Sequence, residues 1–407
     1  MAPQFFFFNP TCEMAVANGQ VSYQPPAHLR AFERELALLP LWLAGEDDWL
    51  WHPGLVDEAY AAYLRQVGAP KVQWATEHKL PKDTFVAARP WGWSPAAIRW
   101  LRALGLEPAP HPLLPWQSDH RDLLSRYTGR ELALRMKGLI KGTVLLAIPE
   151  VPLVLQRPQE LDVLEATMTQ PWLLKAPWSA SGRGLFKIRS RSEGTARNPW
   201  VLGKLRQQGA LLAEPFLDKV QDLSFHFVLD TQGVHFSGTT FFETDKDGQF
   251  LGCYTGQRPS EKWGAFPMEE ALFAAAGLLQ EALSGMDLHL HYHGFAGVDA
   301  LLFRDEAGAL RLHPCIELNL RSTMGRLNLA LEQRLHPQSS GFWRIERREE
   351  QVAEQEWALN PSVLKEGRWF GGTFPLTPAP VGAGFQAVLR LEFKGQGLKK
   401  KPWDKAD

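Results

Sequence analysis

Only three cysteines occur in 407 residues, at positions 12, 253 and 315, without an even count or a metal-like spacing. A disulfide-built secreted scaffold and a cysteine zinc site are therefore not expected, and a reducing cytoplasmic compartment is. Charge of one sign is also lacking. Lys and Arg number 44 against 45 Asp and Glu, a formal net charge of −1, so neither a nucleic-acid nor a membrane surface is expected. Long hydrophobic runs are missing too. The opening Met-Ala-Pro-Gln-Phe-Phe-Phe-Phe has no basic region and is too short to span a bilayer. It reads as a strand. No internal repeat and no low-complexity tract appears, and the basic run from Lys399 to Lys401 reads as a solvated tail. What is present, 45% hydrophobic and 22% charged residues, is the profile of a large soluble enzyme. The length exceeds one ordinary core, so two or three domains are expected.

The first 115 residues read as an α/β layer. Strands are predicted at Phe5 to Phe8, Trp49 to Trp51, Val72 to Trp74 and Phe85 to Ala88. Helical spacing runs over residues 28–44, and a second helix over Asp57 to Gln66, stopped by Gly68. Ser94 and Pro95 open a third as cap and first-turn residue, and Gly105 ends it. Strands alternating with helices imply a mostly parallel sheet, and ligands gather beyond the carboxyl ends of such strands. Those ends are Asn9 to Met14 and Arg89 to Trp93.

The most informative segment is Trp-Leu-Leu-Lys-Ala-Pro-Trp-Ser-Ala-Ser-Gly-Arg-Gly-Leu-Phe-Lys-Ile, residues 172–188. One strand delivers Lys175 into a loop of small residues, and a second, Leu185 to Ile188, leaves it. Gly182 and Gly184 allow such a loop to turn its N–H groups toward phosphate oxygens, and Lys175 adds a mobile point charge. Alone, the segment is equally a hairpin with a flexible tip. Downstream, an apolar strand ends at Glu214, a short connection holds Pro215, Phe216 and Leu217, and another strand opens near Asp222. Residues 294–303 pair by pattern with 310–321 and bring Asp299, Glu317 and Asn319 together. Glu317 and Asn319 are two apart, so they share a strand face, and hard oxygen donors so placed suit Mg²⁺.

The order lysine, glycine-rich loop, strand-end glutamate, aspartate, then Glu-x-Asn-x-Arg resembles the ATP-grasp superfamily of carboxylate–amine and carboxylate–thiol ligases. The resemblance covers roughly residues 116–345. It implies an α/β chain: a parallel N-terminal domain of the kind that precedes this fold (1–115), then two α+β subdomains clamping a nucleotide (116–345, lid about 140–212). A C-terminal extension with a β-hairpin follows (346–407). By the resemblance, Lys175, Ser181, Gly182, Arg183 and Gly184 hold the ATP phosphates. Glu214, Phe216 and Leu217 meet adenine and Asp222 the ribose. Asp299, Glu317 and Asn319 carry Mg²⁺, with Mn²⁺ as a substitute, while Lys175, Arg321 and Arg326 serve the reaction. The family's upstream lysine has no counterpart in Ser118 to Arg130. Arg126 is the candidate substitute, with Arg121 and Lys137 behind it, and arginine binds phosphate bidentately.

The implied reaction activates a substrate carboxylate as an acyl phosphate and condenses it with an amine, an amino acid or a peptide, releasing ADP and phosphate. The alternative is a kinase-like transfer without ligation, and a third reading is a nucleotide-binding module without turnover. The acceptor pocket falls near Asn9, Glu13, Arg89 and residues 321–326. Glu13 either meets an amine or simply favours a helix N-terminus. Arg89 either receives a carboxylate or stacks on tryptophan. His289, His291 and His293 alternate, but no carboxylate or thiol completes a zinc set, and Cys12 has no histidine partner by spacing. The C-terminal hairpin, packed beside the main sheet, is open to covering the cleft, recognising the acceptor or forming a homodimer.

Overall fold

A computed structural model describes residues 3–54, 56–82, 85–179, 184–191 and 193–393. Ser181, Gly182 and Arg183 of the expected phosphate loop, and the basic tail, lie outside the described residues.

The N-terminal sheet has five strands in the order Gln73–Ala75, Trp49–Trp51, Gln4–Phe7, Phe85–Pro90 and Glu107–Pro108. Every neighbour is parallel, as the alternation of strands and helices requires. The predicted Ser94 cap holds, and Asp57, read as the first helical residue, is the cap of Glu58–Gln66. Asp57 Oδ1 accepts from Tyr60 N at 2.8 Å, and Ser94 Oγ from Ala97 N at 3.1 Å. The helix expected over 28–44 does not run through. It spans Ala27–Glu35, and a 3₁₀ turn follows at Leu39–Leu43. Pro40, which has no N–H to give the α-helical ladder, stands in that turn.

A small antiparallel sheet follows, in the order Leu153–Leu155, Leu211–Pro215, Trp172–Lys175, Leu185–Ile188. It has its own apolar core, including Leu161, Leu174, Ile188, Val201 and Ala213. The large sheet has nine strands, all antiparallel to their neighbours among those whose pairing is described. Leu310–Asn319 and Gly294–Arg304 stand at one end, next to Asp218–Asp230, Gly233–Thr244 and Phe250–Thr255. The strand predicted to open near Asp222 starts four residues earlier, so Asp222 lies within it.

The C-terminal hairpin does not sit beside this sheet. Ser339–Glu349 pairs with Phe250–Thr255 and with Ala383–Phe393, so the C-terminal strands prolong the main sheet. The reason is the edge: Phe250–Thr255 carries an unpaired backbone row on that side, and another strand satisfies it. Two apolar cores cross the chain. Phe5 and Phe7 pack with Phe225 and Val298, while Phe6 and Phe8 pack with Leu327, Trp343 and Leu389. The N-terminal layer is thereby fixed against the large sheet.

Candidate active site

The strand pair Gly294–Arg304 and Leu310–Asn319 sets Asp299 opposite Glu317 and Gly297 opposite Asn319. All three oxygen-bearing side chains then share one face. Ser224, facing Asp299 from the next strand, donates to Asp299 Oδ1. Asn319 Nδ2 donates to Asp299 Oδ2 at 3.1 Å. Burial, and then the Glu317 charge, push Asp299 up to about 7. Burial alone would raise Glu317 as well, but Arg126 and Lys175 outweigh it and hold that carboxyl below its usual range.

Arg126 is placed by a close approach. It opens the helix Arg126–Leu139, capped by Ser125. One turn on, Gly129 lies against the strand; a Cβ there would stand 3.2 Å from Leu318 N. The helix therefore rides directly on Leu310–Asn319, and Arg126 Nη2 meets Glu317 Oε1 at 2.9 Å. The other nitrogen, Nη1, donates to Ala176 O and Ser179 Oγ, which begin the loop after Lys175. Arg121 and Lys137 are engaged elsewhere, on Ala17 O and Pro149 O. Of the three substitutes for the missing lysine, Arg126 is the one brought to the carboxylates.

Lys175 ends its strand buried, with Nζ 2.6 Å from Glu214 Oε1 and 3.4 Å from Ile316 O. Gly184 allows the loop to close, since a Cβ there would collide with Ser179, and Ala176 N donates to Gly184 O at 2.8 Å. A cleft runs between the two sheets here. Arg126, Lys175, Glu214 and Glu317 line one part, and Glu214, Leu217, His313 and Ile316 the adjoining part. Burial pulls His313 down to about 3, so its ring is neutral. Phe216 is exposed beneath Lys187, whose Nζ is 3.2 Å from the ring centre.

Asp222 does not reach the cleft. Its carboxylate is held by Lys219 Nζ at 2.6 Å and Thr244 Oγ1 at 2.7 Å, and it is not a lining residue.

Arg321 joins the cluster to the N-terminal layer. Nη2 donates to Asn319 Oδ1 at 2.9 Å, and Nε meets Glu13 Oε1 at 2.6 Å. Glu13 and Cys12 begin the short helix Cys12–Asn18. Glu13 Oε2 is buried and has no hydrogen-bond partner among the described residues. Burial pushes the Cys12 thiol up to about 12, so it is no nucleophile. Asn9 serves the backbone: its Nδ2 donates to Gly92 O at 2.8 Å and its Oδ1 accepts from Gly92 N. Arg89 is exposed and its Nε donates to Gln4 Oε1. Arg326 Nη1 donates to Ser322 Oγ at 2.8 Å. His289 and His291 lie on a short helical turn. Among the described residues no three of His, Cys, Asp and Glu are grouped to hold a metal; the Asp299–Glu317–Asn319 set contains only two of those types.

Ser224 and Gly129 were missed. Ser224 stands two residues from Asp222, and strand alternation places it on the same face; that signal was there. Nothing local marks Gly129, whose role depends on a strand nearly two hundred residues away.

No family model matches the chain, and no curated protein matches it. Solved structures do. The chain is similar to a pyruvate carboxylase from Rhizobium etli at 12% identity and a TM-score of 0.51, covering 96% of this chain and 36% of that one. It is also similar to N5-carboxyaminoimidazole synthetase from Staphylococcus aureus (12% identity, TM-score 0.45, 96% and 94% covered). A third is the biotin carboxylase domain of a 2-oxoglutarate carboxylase from Hydrogenobacter thermophilus (15%, 0.48, 96% and 86%). The first likeness bears on architecture alone. With the sheet order above, the fold is the ATP-grasp fold expected from the sequence. Among the described residues no helix is long and apolar enough to cross a membrane.

Proposed function

We propose that this protein is an ATP-dependent ligase that activates a small-molecule carboxylate as an acyl phosphate and joins it to an amine. One observation carries the reading. A run of charged and polar side chains, Glu214–Lys175 and then Arg126–Glu317, Asp299–Asn319–Arg321–Glu13, with Glu317 and Asp299 facing each other, crosses from the small sheet through the large sheet to the N-terminal layer. A nucleotide at one end and a carboxylate at the other would share the cluster between them.

Mg²⁺ fits this cluster. Asp299 is raised by burial and by Glu317, and a divalent cation relieves that repulsion. Asp299, Glu317 and Asn319 would hold it, and when bound it neutralises charge on the phosphoryl oxygens. Lys175 and Arg126 exchange their present carboxylates for phosphate oxygens and fix the γ-phosphoryl group. Glu214 and Leu217 bound the adenine end. Arg321, oriented by Glu13, steadies the substrate carboxylate while its oxygen attacks phosphorus and ADP leaves. An amine then attacks the acyl carbon and phosphate departs; Glu13 Oε2, without a partner, is the acceptor placed for the amine's N–H.

The test is a screen of amino acids, peptides and other carboxylates with ATP and Mg²⁺, with hydroxylamine added. A hydroxamate should form with the true substrate, and Arg321→Ala should lose it. A stable phosphorylated alcohol without hydroxamate would replace the ligase by a kinase.

A further inference from the structure

Lys175, Arg126 and Arg321 each rest on a carboxylate. Two other guanidinium groups, at the seam between the N-terminal layer and the large sheet, do not. Arg326 lies in the first turns of the helix Met324–Glu332. Its guanidinium carbon stands 4.9 Å from the Phe295 ring centre, and its side-chain hydrogen bond goes to Ser322 Oγ. Among the described residues no Asp or Glu is paired with it; the titratable groups that act on it are the neutral phenol of Tyr292 and the charge of Arg89. Burial, with Arg89 adding to it, pulls Arg326 down to about 10. Arg89 stands near the end of the strand Phe85–Pro90, and its Nε donates to the neutral Gln4 amide, with no carboxylate partner among the described residues.

The surrounding wall is neutral. Tyr292 donates its hydroxyl to Phe295 O at 3.0 Å. His111 packs on Trp93 and Tyr292, with Nε2 2.6 Å from His293 O, and burial pulls it down to about 4. Two like charges face a neutral wall, one of them largely withdrawn from water, and an anion between them would relieve their repulsion. Arg321, held by Glu13 and Asn319, is assigned to the reacting carboxylate and is not counted for this second anion.

We propose that Arg326 and Arg89 receive a second anionic group, a carboxylate or a phosphate carried by the substrate away from its reacting end. The position rests on the ligase reading only for which molecule bears that group. Guanidinium groups grip either oxyanion through paired N–H donors, and Phe295 holds the Arg326 plane in place. The substrate is then an anion twice over, such as a dicarboxylic acid or an acid bearing a phosphate. Neutral analogues lacking the distal charge are poor substrates.

The experiment titrates the full-length protein, without nucleotide, with inorganic phosphate and with succinate by calorimetry. One of the two should bind, and Arg326→Gln and Arg89→Gln should each weaken it by roughly tenfold or more, the scale of hydrogen bonds to a charged group. Tighter phosphate points to a phosphorylated substrate, and tighter succinate to a dicarboxylate. A fluorescent ATP analogue should bind both variants as it binds the parent. If Arg326→Gln does not fold, Arg89→Gln, altered at an exposed side chain, decides. Binding of neither anion, or undiminished binding in the variants that fold, overturns the proposal. Anion binding without ADP release from any carboxylate and amine retires the ligase reading and leaves this site. Turnover of neutral substrates as fast as anionic ones does the reverse.

Discussion

The ion cluster of the C-terminal strands and the cluster in the cleft use the same side-chain types, but only the first is saturated. Arg390 meets both oxygens of Glu346, at 2.7 and 2.9 Å, and also Glu356. Arg348 reaches the same two glutamates, and Arg344 adds a further contact to Glu346. Burial would raise Glu346 and Glu356, but Arg390 outweighs it, and both carboxyls lie below their usual range. In the cleft, Glu13, Glu214, Asp299 and Glu317 outnumber Lys175, Arg126 and Arg321. Among the described residues Glu13 Oε2 and Arg126 Nε have no hydrogen-bond partner, and Asp299 is raised. A saturated network fixes the shape of the sheet. An unsaturated one leaves valences for a ligand, which is why perturbed groups gather at functional sites.

The sharpest way to break this comparison is Glu317→Gln. The substitution removes a charge at constant volume, so ADP release should fall by about 10²–10³-fold, while the thermal melt stays close to the parent's. Near-normal ADP release would sink the metal cluster as drawn.

Arg390→Ala should do the opposite. It strips two half-buried glutamates of their shared cation, and breaking such a network costs roughly 3–5 kcal/mol. Denaturant unfolding should show that loss, with ADP release per folded molecule unchanged. The pH dependence has a definite sign. Glu346 and Glu356 lie below 4.5 when folded, so their contribution is full above 4.5 and disappears as pH falls through the folded values. The parent should lose stability on that acid limb, and Arg390→Ala should lose less. An unchanged acid limb would show that the network does not carry the stability assigned to it.

Much of the cleft was legible because its signals are local. Lys175 before a glycine-rich loop, and Glu317 and Asn319 at strand spacing, need only the neighbouring sequence. So does the cap at Ser94. What was not legible depends on distant partners. The Arg321–Glu13 bond joins residues 308 positions apart. The contact of Asp222 with Thr244, on the next strand, is likewise invisible locally. The C-terminal strands were read as an added hairpin because no local pattern says that Phe250–Thr255 lacks a neighbour.

The smallest expected effect tests how finely the cleft depends on its scaffold. Gly129 lies at the point where the helix Arg126–Leu139 touches Leu318, and its Arg126 end is what reaches Glu317. In Gly129→Ala the added methyl, 3.2 Å from Leu318 N, pushes the helix outward by a few tenths of an ångström. Alanine also favours the helix by about 1 kcal/mol over glycine, which offsets the strain. Stability should therefore change little. The Arg126–Glu317 contact should lengthen, and kcat/KM for ATP should fall by roughly threefold to tenfold, since small misplacements of charged groups are costly in an active site. A melt lowered by many degrees would mean that the contact is structural first. An unchanged kcat/KM would mean that Arg126 reaches its target by side-chain adjustment, without help from the close packing beneath it.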